Sequence, residues 1–540
     1  MLTHRTWIAG LAVLLGAALP VGARSPDRAP AAPGSDEADV QVLAAKIDAA
    51  LAARWEEAHT RPAPLADDAT FLRRAYLDLT GKIPPASEVR RFLRDPAPDK
   101  RRRAVERLLD SPGYVSRFTD LWRHLLIPEA DNNFQLRYNS STLDSWLRKQ
   151  FTENAGYDDM VRELLTLPVG NNRQMYFNPY DNNGAEPTPM PFYTAKEGKP
   201  ENLAATTARL FLGVRIECAQ CHNHPFATWK REQFWGYAAF FGGIRANVQN
   251  GFVQQMNELT DRRELAIPGT DRVAQATFLD GTEPRWKYKV GARQTLADWM
   301  TAANNPFFAR AGANRLWALC FGTGLVEPVD DFKDSNPPSH PELLDELARQ
   351  FAAHHFDQKF LIRAITSSHA YQLSSVPTDP AQEDPRLFAR MAVKGLTPEQ
   401  LMESFAEATG YRDPTPASQR AFVFGPRNDL IGKFTQQDRL TEFQTSIPQA
   451  LALMNSQLVI QATSPSQGQT LGAVLDAPFL DTRGRVETLF LATLSRKPTP
   501  EEAARLCAYV DRGGPKHDSK RALADVFWAL LNSAEFMLNH

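Results

Sequence analysis

The stretch TPEQLMESFAEATG, Thr397–Gly410, has the pattern of a complete α-helix. Thr397 can cap the first turn, Pro398 suits the first helical position, and Gln400 completes a capping box. Gly410 stands where glycine commonly ends a helix, because glycine adopts a left-handed backbone conformation without steric cost. The stretch therefore predicts one helix with a defined start and a defined end.

Two further segments in the second half of the chain carry the same start signal. Thr499-Pro500-Glu501-Glu502 has the capping residue, the proline and the acidic residue in the same order. Ser339-His340-Pro341-Glu342 is interpreted as a third capping box, with Ser339 as the N-cap. The residues after it repeat at helical spacing and predict a buried apolar stripe of Leu343, Leu344, Leu347 and Phe351.

Helical spacing also dominates the first half of the chain. From Val40 onward, apolar residues recur at helical spacing, which predicts a helix with one buried face. Further helices are predicted at Asp67–Leu79, Lys100–Leu109, Pro112–Leu126, Thr142–Phe151, Asn202–Gly213 and Arg231–Phe241. The basic face of Lys100–Leu109 is interpreted as solvated surface rather than as a nucleic-acid site.

The periodicity changes between residues 244 and 290. Trp286, Tyr288 and Val290 alternate with lysines, which indicates a strand. Val273–Leu279 is rich in β-branched and apolar residues, and a turn signal follows it. The predicted fold is therefore mainly α, with two helical domains joined by a short β-ribbon near residues 270–290.

Length and composition fit this layout. A chain of 540 residues has room for about two to four domains, and 43% hydrophobic with 23% charged residues is ordinary for a soluble globular protein. The predicted order is a signal peptide at 1–23, a disordered linker at 24–39, a helical domain at 40–243, a β-containing connector at 244–290 and a second helical domain at 291–540. A formal net charge of −2 gives no electrostatic attraction to nucleic acid.

The N-terminus has the parts of a secretory signal peptide. His4 and Arg5 precede the apolar run Trp7–Leu19, and Val21-Gly22-Ala23 offers a small-residue cleavage site. The apolar run is shorter than the roughly 20 residues that a membrane-spanning helix needs, and no other stretch is apolar enough to span. The mature protein is therefore expected to be exported, to the periplasm or outside the cell, without a membrane span.

The segment ECAQCHNHPFATW, Glu217–Trp229, contains the main chemical motif of the chain. Cys218, Cys221 and His222 form C-x-x-C-H. This spacing attaches a c-type haem through two thioether bonds, and its histidine is an axial iron ligand. The leading hypothesis is an exported haem c protein in electron transfer or oxidoreductase chemistry, with a redox partner that the sequence does not identify.

Other chemistries fit the same residues. Cys218 and Cys221 could form a disulfide in an oxidising compartment. The two thiols with His222 or His224 could hold zinc, with a fourth ligand from elsewhere. Both thiols could also be plain buried atoms, since free cysteine behaves as a small hydrophobe. The alternative function is a secreted non-haem protein that binds or processes polysaccharide, with sugar rings stacked on the aromatic loop Tyr176–Tyr193.

A second polar group lies in the second half of the chain and contains Asn314, Arg315, Asp330, Asp331, Asp334 and His340. As a functional site, it would bind carbohydrate or metal, with carboxylates as acid and base. The favoured interpretation is structural. Arg315 would form a buried ion pair with Asp330 or Asp331, and His340 would lie inside the capping box.

Several long segments resemble a known pair of domains. Two segments resemble domain of unknown function 1549, a planctomycete cytochrome-related domain of large secreted proteins. They are LRRAYLDLTGKIPP (Leu72–Pro85) and ARLFLGVRIECAQCHNHPFATW (Ala208–Trp229). Three later segments resemble its usual companion, domain of unknown function 1553. They are NPFFARAGANRLWALCFGTGLVEPVDDF (Asn305–Phe332), NPPSHPELLDELA (Asn336–Ala348) and SSHAYQLSS (Ser367–Ser375). The resemblance implies the domain layout given above. It carries over the motif positions Cys218, Cys221, His222 and His224.

Overall fold

The computed structural model describes residues 35–131, 133–170, 186–223, 228–249, 252–413 and 454–540. The predicted signal peptide and residues 24–34 of the predicted linker lie outside this part of the chain. The end of the predicted linker is helical, because helix α1 already begins at Ser35. Asp39 on this helix lies 3.2 Å from the ring Nε2 of His354. This tertiary contact is one that local composition does not reveal.

The first half of the chain is a succession of helices separated by short loops. Their bounds are Ser35–Glu57 (α1), Asp68–Thr80 (α2), Ala86–Arg94 (α3), Lys100–Leu109 (α4), Pro112–Leu126 (α5), Phe134–Thr152 (α6), Tyr157–Thr166 (α7), Met190–Ala195 (α8), Pro200–Thr207 (α9) and Arg231–Ala238 (α10).

The second half is also helical. Its helices are Ala292–Met300 (α11), Phe308–Phe321 (α12), Pro341–Ala353 (α13), Gln358–Ser367 (α14), Pro398–Thr409 (α15), Gln457–Ala462 (α16), Gln469–Asp476 (α17), Thr482–Thr493 (α18), Pro500–Asp511 (α19), Ser519–Leu531 (α20) and Ala534–Met537 (α21). The predicted mainly α fold is confirmed.

Two of the three predicted capping boxes are present. At α15 and α19 the side chains of Thr397 and Thr499 each accept from the backbone N–H of the third helical residue, whose side chain accepts in return. The box predicted at Ser339 is wrong. Helix α13 begins at Pro341, so His340 occupies the N-cap position and makes no side-chain capping bond. The Ser339 N–H instead donates to the Leu325 carbonyl at 2.8 Å, which fixes this residue in the preceding loop.

The strands form small antiparallel pairs. Ile244–Gln249 (β1) pairs with Phe252–Glu258 (β2), and Glu264–Ala266 (β3) pairs with Val273–Gln275 (β4). A third pair joins Lys394–Gly395 (β5) to Leu538–Asn539 (β6). The strand predicted at residues 286–290 is wrong, since this segment is irregular. Its Lys289 has φ +60°, a left-handed backbone conformation that breaks an extended run.

The buried apolar side chains of the described residues form two clusters. The larger cluster runs from Val40 on α1 to Met391 after α14, together with Leu491, and includes side chains from both predicted helical domains. The smaller cluster contains side chains between Leu396 and Met537, and Leu77 and Ile83 join it from the first half of the chain. The two clusters therefore divide near residue 395, not at residues 244–290. The domain boundaries given above stay predictions.

Helix α2 holds the C-terminal segment through polar contacts as well. The side chain of Arg73 is buried, at 1% exposure. Its guanidinium donates to the backbone carbonyls of Thr493, Glu535 and Phe536 at 3.0, 3.1 and 2.9 Å. Because buried carbonyls need hydrogen-bond donors, this one side chain ties the end of the chain to the first helices.

Candidate functional site

The C-x-x-C-H motif follows an irregular helical segment. After α9 the chain makes one π-helical turn, Ala208–Leu212, which ends at Gly213 with φ +71°. Single π-turns interrupt regular helices and are frequent at functional sites. Glu217–Gln220 then forms one turn of 3₁₀-helix that carries Cys218, and Cys221 follows directly. The motif therefore lies on a short turn rather than within a long helix.

Helix α10 fixes the backbone of this turn. The Gln220 carbonyl accepts from the indole Nε1 of Trp235 at 3.0 Å and from Arg231 Nε at 3.4 Å. The backbone N–H of Arg231 donates to the side-chain oxygen of Asn223 at 3.0 Å. Ala219, between the two cysteines, is fully buried, whereas Cys218 and Cys221 are exposed free thiols. The backbone of the motif is thus anchored, and its two cysteines are exposed.

His222 is exposed, and its ring orientation is set by one hydrogen bond. The ring Nδ1 lies 2.7 Å from the Asn223 backbone carbonyl. A carbonyl only accepts, so Nδ1 carries the proton and Nε2 keeps a free lone pair. Histidines that bind metals usually donate their other ring N–H in this way. The Nε2 atom of His222 is therefore the atom suited to bind a metal.

A group of charged residues adjoins the motif, and only Asp330 among them was singled out from the sequence, with Arg315 as its expected partner. Arg215 donates from Nε and Nη2 to one carboxylate oxygen of Asp330, at 2.9 and 2.5 Å. Arg209, on the π-turn, lies 3.6 Å from Asp330 and 3.7 Å from Glu217. Burial raises the pKa of the Glu217 carboxyl above its usual range, and Asp330 raises it further, while Arg209 opposes this. Asp330, from the second half of the chain, therefore lies next to the segment that carries the motif.

The second polar group predicted from the sequence is largely dispersed. Asp330 pairs with Arg215, and Asp331 pairs with Lys333 at 2.8 Å, so neither carboxylate has Arg315 as its hydrogen-bonding partner. The guanidinium of Arg315 donates to the Leu210 carbonyl at 3.2 Å instead.

His340 and Asn314 of the same predicted group have separate roles. His340 packs its ring against Phe388, with ring centres 5.7 Å apart. Asn314 binds the loop that carries Asp330, as described below. These contacts agree with the structural interpretation and differ from it in the partners.

The residues proposed for zinc and for sugar binding have separate outcomes. Within the described part of the chain, no group of three or more His, Cys, Asp or Glu side chains is arranged to hold a metal ion. His224, which the zinc interpretation adds, lies outside the described residues. In the aromatic loop, Phe192 and Tyr193 are fully buried, so they do not offer a face to a sugar ring. The rest of that loop up to residue 185 lies outside the described residues.

Comparisons with known proteins identify the two halves of the chain. Residues 46–246 match a family model named PSCyt2, described as a protein of unknown function (DUF1549). Residues 292–439 match a second model named PSD1, described as a protein of unknown function (DUF1553). No curated protein matches the chain, and no solved structure matches it.

One finding concerns membranes: among the residues that the structure describes, no helix combines the length and the apolar character needed to span a bilayer.

The family matches agree with the resemblance read from the sequence, including the order of the two domains. The chain therefore pairs domain of unknown function 1549, over residues 46–246, with domain of unknown function 1553, over residues 292–439.

Proposed function

We propose that Cys218, Cys221 and His222 form the attachment site of a c-type haem and that the protein acts in electron transfer or oxidoreductase chemistry. One observation carries the proposal. Two exposed free thiols stand beside an exposed histidine whose Nδ1 donates to a carbonyl and whose Nε2 has no hydrogen-bond partner among the described residues. A c-type attachment site needs these atoms in this order.

The residues present fit the group. Each of the Cys218 and Cys221 thiols would add across one vinyl group of the haem, with sulfur on one carbon and hydrogen on the other, so attachment would consume no oxidant. His222 would offer Nε2 to the iron. A haem bound there supplies one-electron chemistry at an iron whose potential depends on its ligands and on nearby charges. Because the motif is exposed, a redox partner has direct access to it.

Two further points support this function. The first family model bears the cytochrome-related name PSCyt2. The predicted signal peptide at 1–23 would take the chain to a compartment outside the cytoplasm, either the periplasm or the extracellular space, and C-x-x-C-H sites are matured in exported proteins. Two of the aromatic residues that the polysaccharide alternative requires, Phe192 and Tyr193, are buried. No feature of the described residues favours that alternative.

The test is an intact-mass measurement on the full chain, exported in cells that mature c-type cytochromes. We expect the mass of the processed chain plus one haem, and a Soret band that survives denaturation because thioether bonds do not depend on the fold. Cys218→Ser and Cys221→Ser should weaken attachment. His222→Ala should change the iron spectrum. Cys507→Ser, which alters a cysteine in another part of the fold, is the matched control and should leave the haem attached.

The other occupants of the motif give different results. A zinc site predicts colourless protein with about one metal ion per chain, lost to a chelator. A disulfide predicts no metal and two additional thiols after reduction. A mass equal to that of the bare processed chain, from cells that mature a known cytochrome in parallel, would remove the haem proposal.

A further inference from the structure

Asp330 lies far from the motif in sequence and close to it in space. Its carboxylate is buried, at 10% side-chain exposure, and its partner Arg215 precedes Cys218 by only a few residues. Both donors of Arg215 bind the same carboxylate oxygen, while Arg209 approaches the other oxygen at 3.6 Å. The segment that delivers the chain to the motif is therefore held by a residue of the second family domain.

The loop that carries Asp330 is itself fixed. The side chain of Asn314 on α12 accepts from the Val326 N–H at 3.0 Å and donates to the Val326 carbonyl at 2.9 Å. At the other end, the Phe332 N–H donates to the Gly213 carbonyl at 2.9 Å. Asp330 lies between these two anchors. Because this loop is anchored on both sides of Asp330, the Asp330 carboxylate has a defined position.

Asp330 belongs to a group of charged side chains around the segment that leads to the motif. Arg209 and Arg215 supply two positive charges, and Asp330 and Glu217 supply two carboxyl groups. Glu217 is more exposed, at 42% of its side chain, and lies 3.7 Å from Arg209, outside hydrogen-bond distance. Removing the charge of Asp330 would leave Arg215 without its hydrogen-bonded carboxylate and Arg209 with only the Glu217 carboxyl group, 3.7 Å away. The additional net positive charge would change the electrostatic potential along this segment.

We propose that Asp330 is a positioning residue for the C-x-x-C-H motif, which holds the segment Val214–Glu217 through Arg215 and sets the electrostatic potential at Cys218–His222. The second family domain thus contributes a residue to a motif that lies wholly in the first. The part of this inference that concerns the redox potential rests on the proposed haem function, whereas the positioning of the turn does not.

Two charge changes of opposite sign test the proposal. Asp330→Asn removes the negative charge, so a reduced site is favoured and the midpoint potential of the haem protein should shift upward. Arg215→Gln removes a positive charge and should shift the midpoint potential downward. Both variants release the segment before Cys218, so in the haem-free, reduced full chain both should increase the alkylation rate of Cys218 by iodoacetamide, measured by peptide mass spectrometry.

The controls separate positioning from general loosening. Asp330→Glu keeps the charge and should restore both measurements toward the wild type. Asp331→Asn alters the neighbouring carboxylate, which pairs with Lys333 and not with Arg209 or Arg215, and should change neither measurement. If Asp330→Asn fails to fold, Arg215→Gln supplies the second test, because Arg215 is 45% exposed and Arg209 still lies 3.6 Å from the Asp330 carboxylate.

The outcomes also separate this proposal from the haem proposal. A wild-type chain without haem would remove the haem function, and the alkylation rates would still test Asp330. Haem-loaded Asp330→Asn and Arg215→Gln variants whose potentials both stay at the wild-type value, or both move in the same direction, would overturn the electrostatic role. Folded variants with unchanged Cys218 alkylation would overturn the positioning role.

Discussion

The ammonium group of Lys394 lies 2.6 Å from a carboxylate oxygen of Asp78, and this ion pair is almost completely buried, with 12% and 4% of the two side chains exposed. Asp78 also accepts from the Tyr371 hydroxyl at 2.9 Å and from the Asn539 side chain at 2.7 Å. These residues come from α2, from the segment after α14, and from strands β5 and β6. One buried carboxylate therefore joins the beginning, the middle and the end of the described chain.

Replacing Lys394 by methionine should destabilise the protein strongly. The aliphatic part of the side chain is kept, but the buried Asp78 carboxylate loses its closest counter-charge and retains only the more distant charges of Arg74 and Arg117. Breaking a buried ion pair in this way costs about 3–5 kcal/mol. The free energy of unfolding, measured in urea, is the readout. Arg54→Met, which breaks the exposed pair Arg54–Glu57, is the control and should change the free energy by less than about 1 kcal/mol. Equal effects for the two variants would contradict the role given to the Asp78–Lys394 pair.

Two buried tyrosines should respond oppositely to loss of the hydroxyl. Tyr371→Phe removes the donor to the Asp78 carboxylate and should cost about 1.5–3 kcal/mol, as for hydrogen bonds to charged groups. The Tyr157 hydroxyl is buried and has no hydrogen-bond partner among the described residues. Tyr157→Phe should therefore change the free energy of unfolding by less than about 0.5 kcal/mol or increase it, since a desolvated hydroxyl is removed. A loss above about 1 kcal/mol for Tyr157→Phe would show that this hydroxyl has a partner.

Two glycines with the same backbone conformation should differ in their tolerance of alanine. Gly213 and Gly269 have φ +71° and +73°, so alanine at either position carries about 1–2 kcal/mol of left-handed strain. A Cβ at Gly213 would lie 2.7 Å from the Phe332 ring, whereas nothing lies within 4 Å at Gly269.

Gly213→Ala should therefore destabilise by at least about 1 kcal/mol more than Gly269→Ala, as expected for overpacking. Thermal and urea unfolding of the two variants give the comparison. Because Phe332 follows the Asp330 loop, Gly213→Ala should also increase the alkylation rate of Cys218, and Gly269→Ala should not.

Protonation of His340 should lower stability in acid. Burial, and next the charges of Arg54 and Arg386, lower the pKa of His340 from 6.5 to about 4 in the folded protein. The unfolded state therefore binds the proton first as the pH falls. The stability contribution is complete above about pH 6.5 and is lost progressively down to about pH 4, by up to roughly 3 kcal/mol.

The check is the free energy of unfolding across this pH range for the wild type and for His340→Asn, which cannot titrate. The difference between the two should shrink as the pH falls. His517→Asn alters an exposed histidine and should retain the wild-type pH dependence. Parallel pH profiles for the wild type and His340→Asn would show that His340 does not contribute. The comparison is needed because Asp144 and Asp158, whose pKa values burial raises to about 6, act in the opposite direction.

Local signals predicted much of the helical framework. Lys100–Leu109 and Pro112–Leu126 are helices with the predicted bounds, and the boxes at Thr397 and Thr499 are formed as expected. These features depend on residues within a few positions of one another, so one segment contains all the information. The strand predicted at residues 286–290 is wrong because alternation is meaningful only on an extended chain. Here Lys289 has φ +60°, and the Val290 N–H donates to the Lys287 carbonyl within a local turn.

The candidate site could be predicted in part. The motif residues Cys218, Cys221 and His222 could be predicted from their spacing alone, because C-x-x-C-H is defined by residues that are close together in the sequence. Arg215 and Asp330 could not be paired in advance, because they are far apart in sequence and each had other charged candidates nearby. Arg315 next to the acidic loop was the more obvious partner for Asp330 from the sequence, and the packing of α12 directs it to the Leu210 carbonyl instead.

The sequence by itself determined the helical class, the ends of several helices, the order of the two family domains and the atoms of the motif, because short-range periodicity, capping and motif spacing are local properties. Only the tertiary structure decided that the two family domains share one core, that Phe192 and Tyr193 are buried, and that Asp330 reaches the segment before Cys218. Those features depend on contacts between segments that are far apart in the sequence, and such contacts are determined by the packing of the whole chain rather than by any one segment.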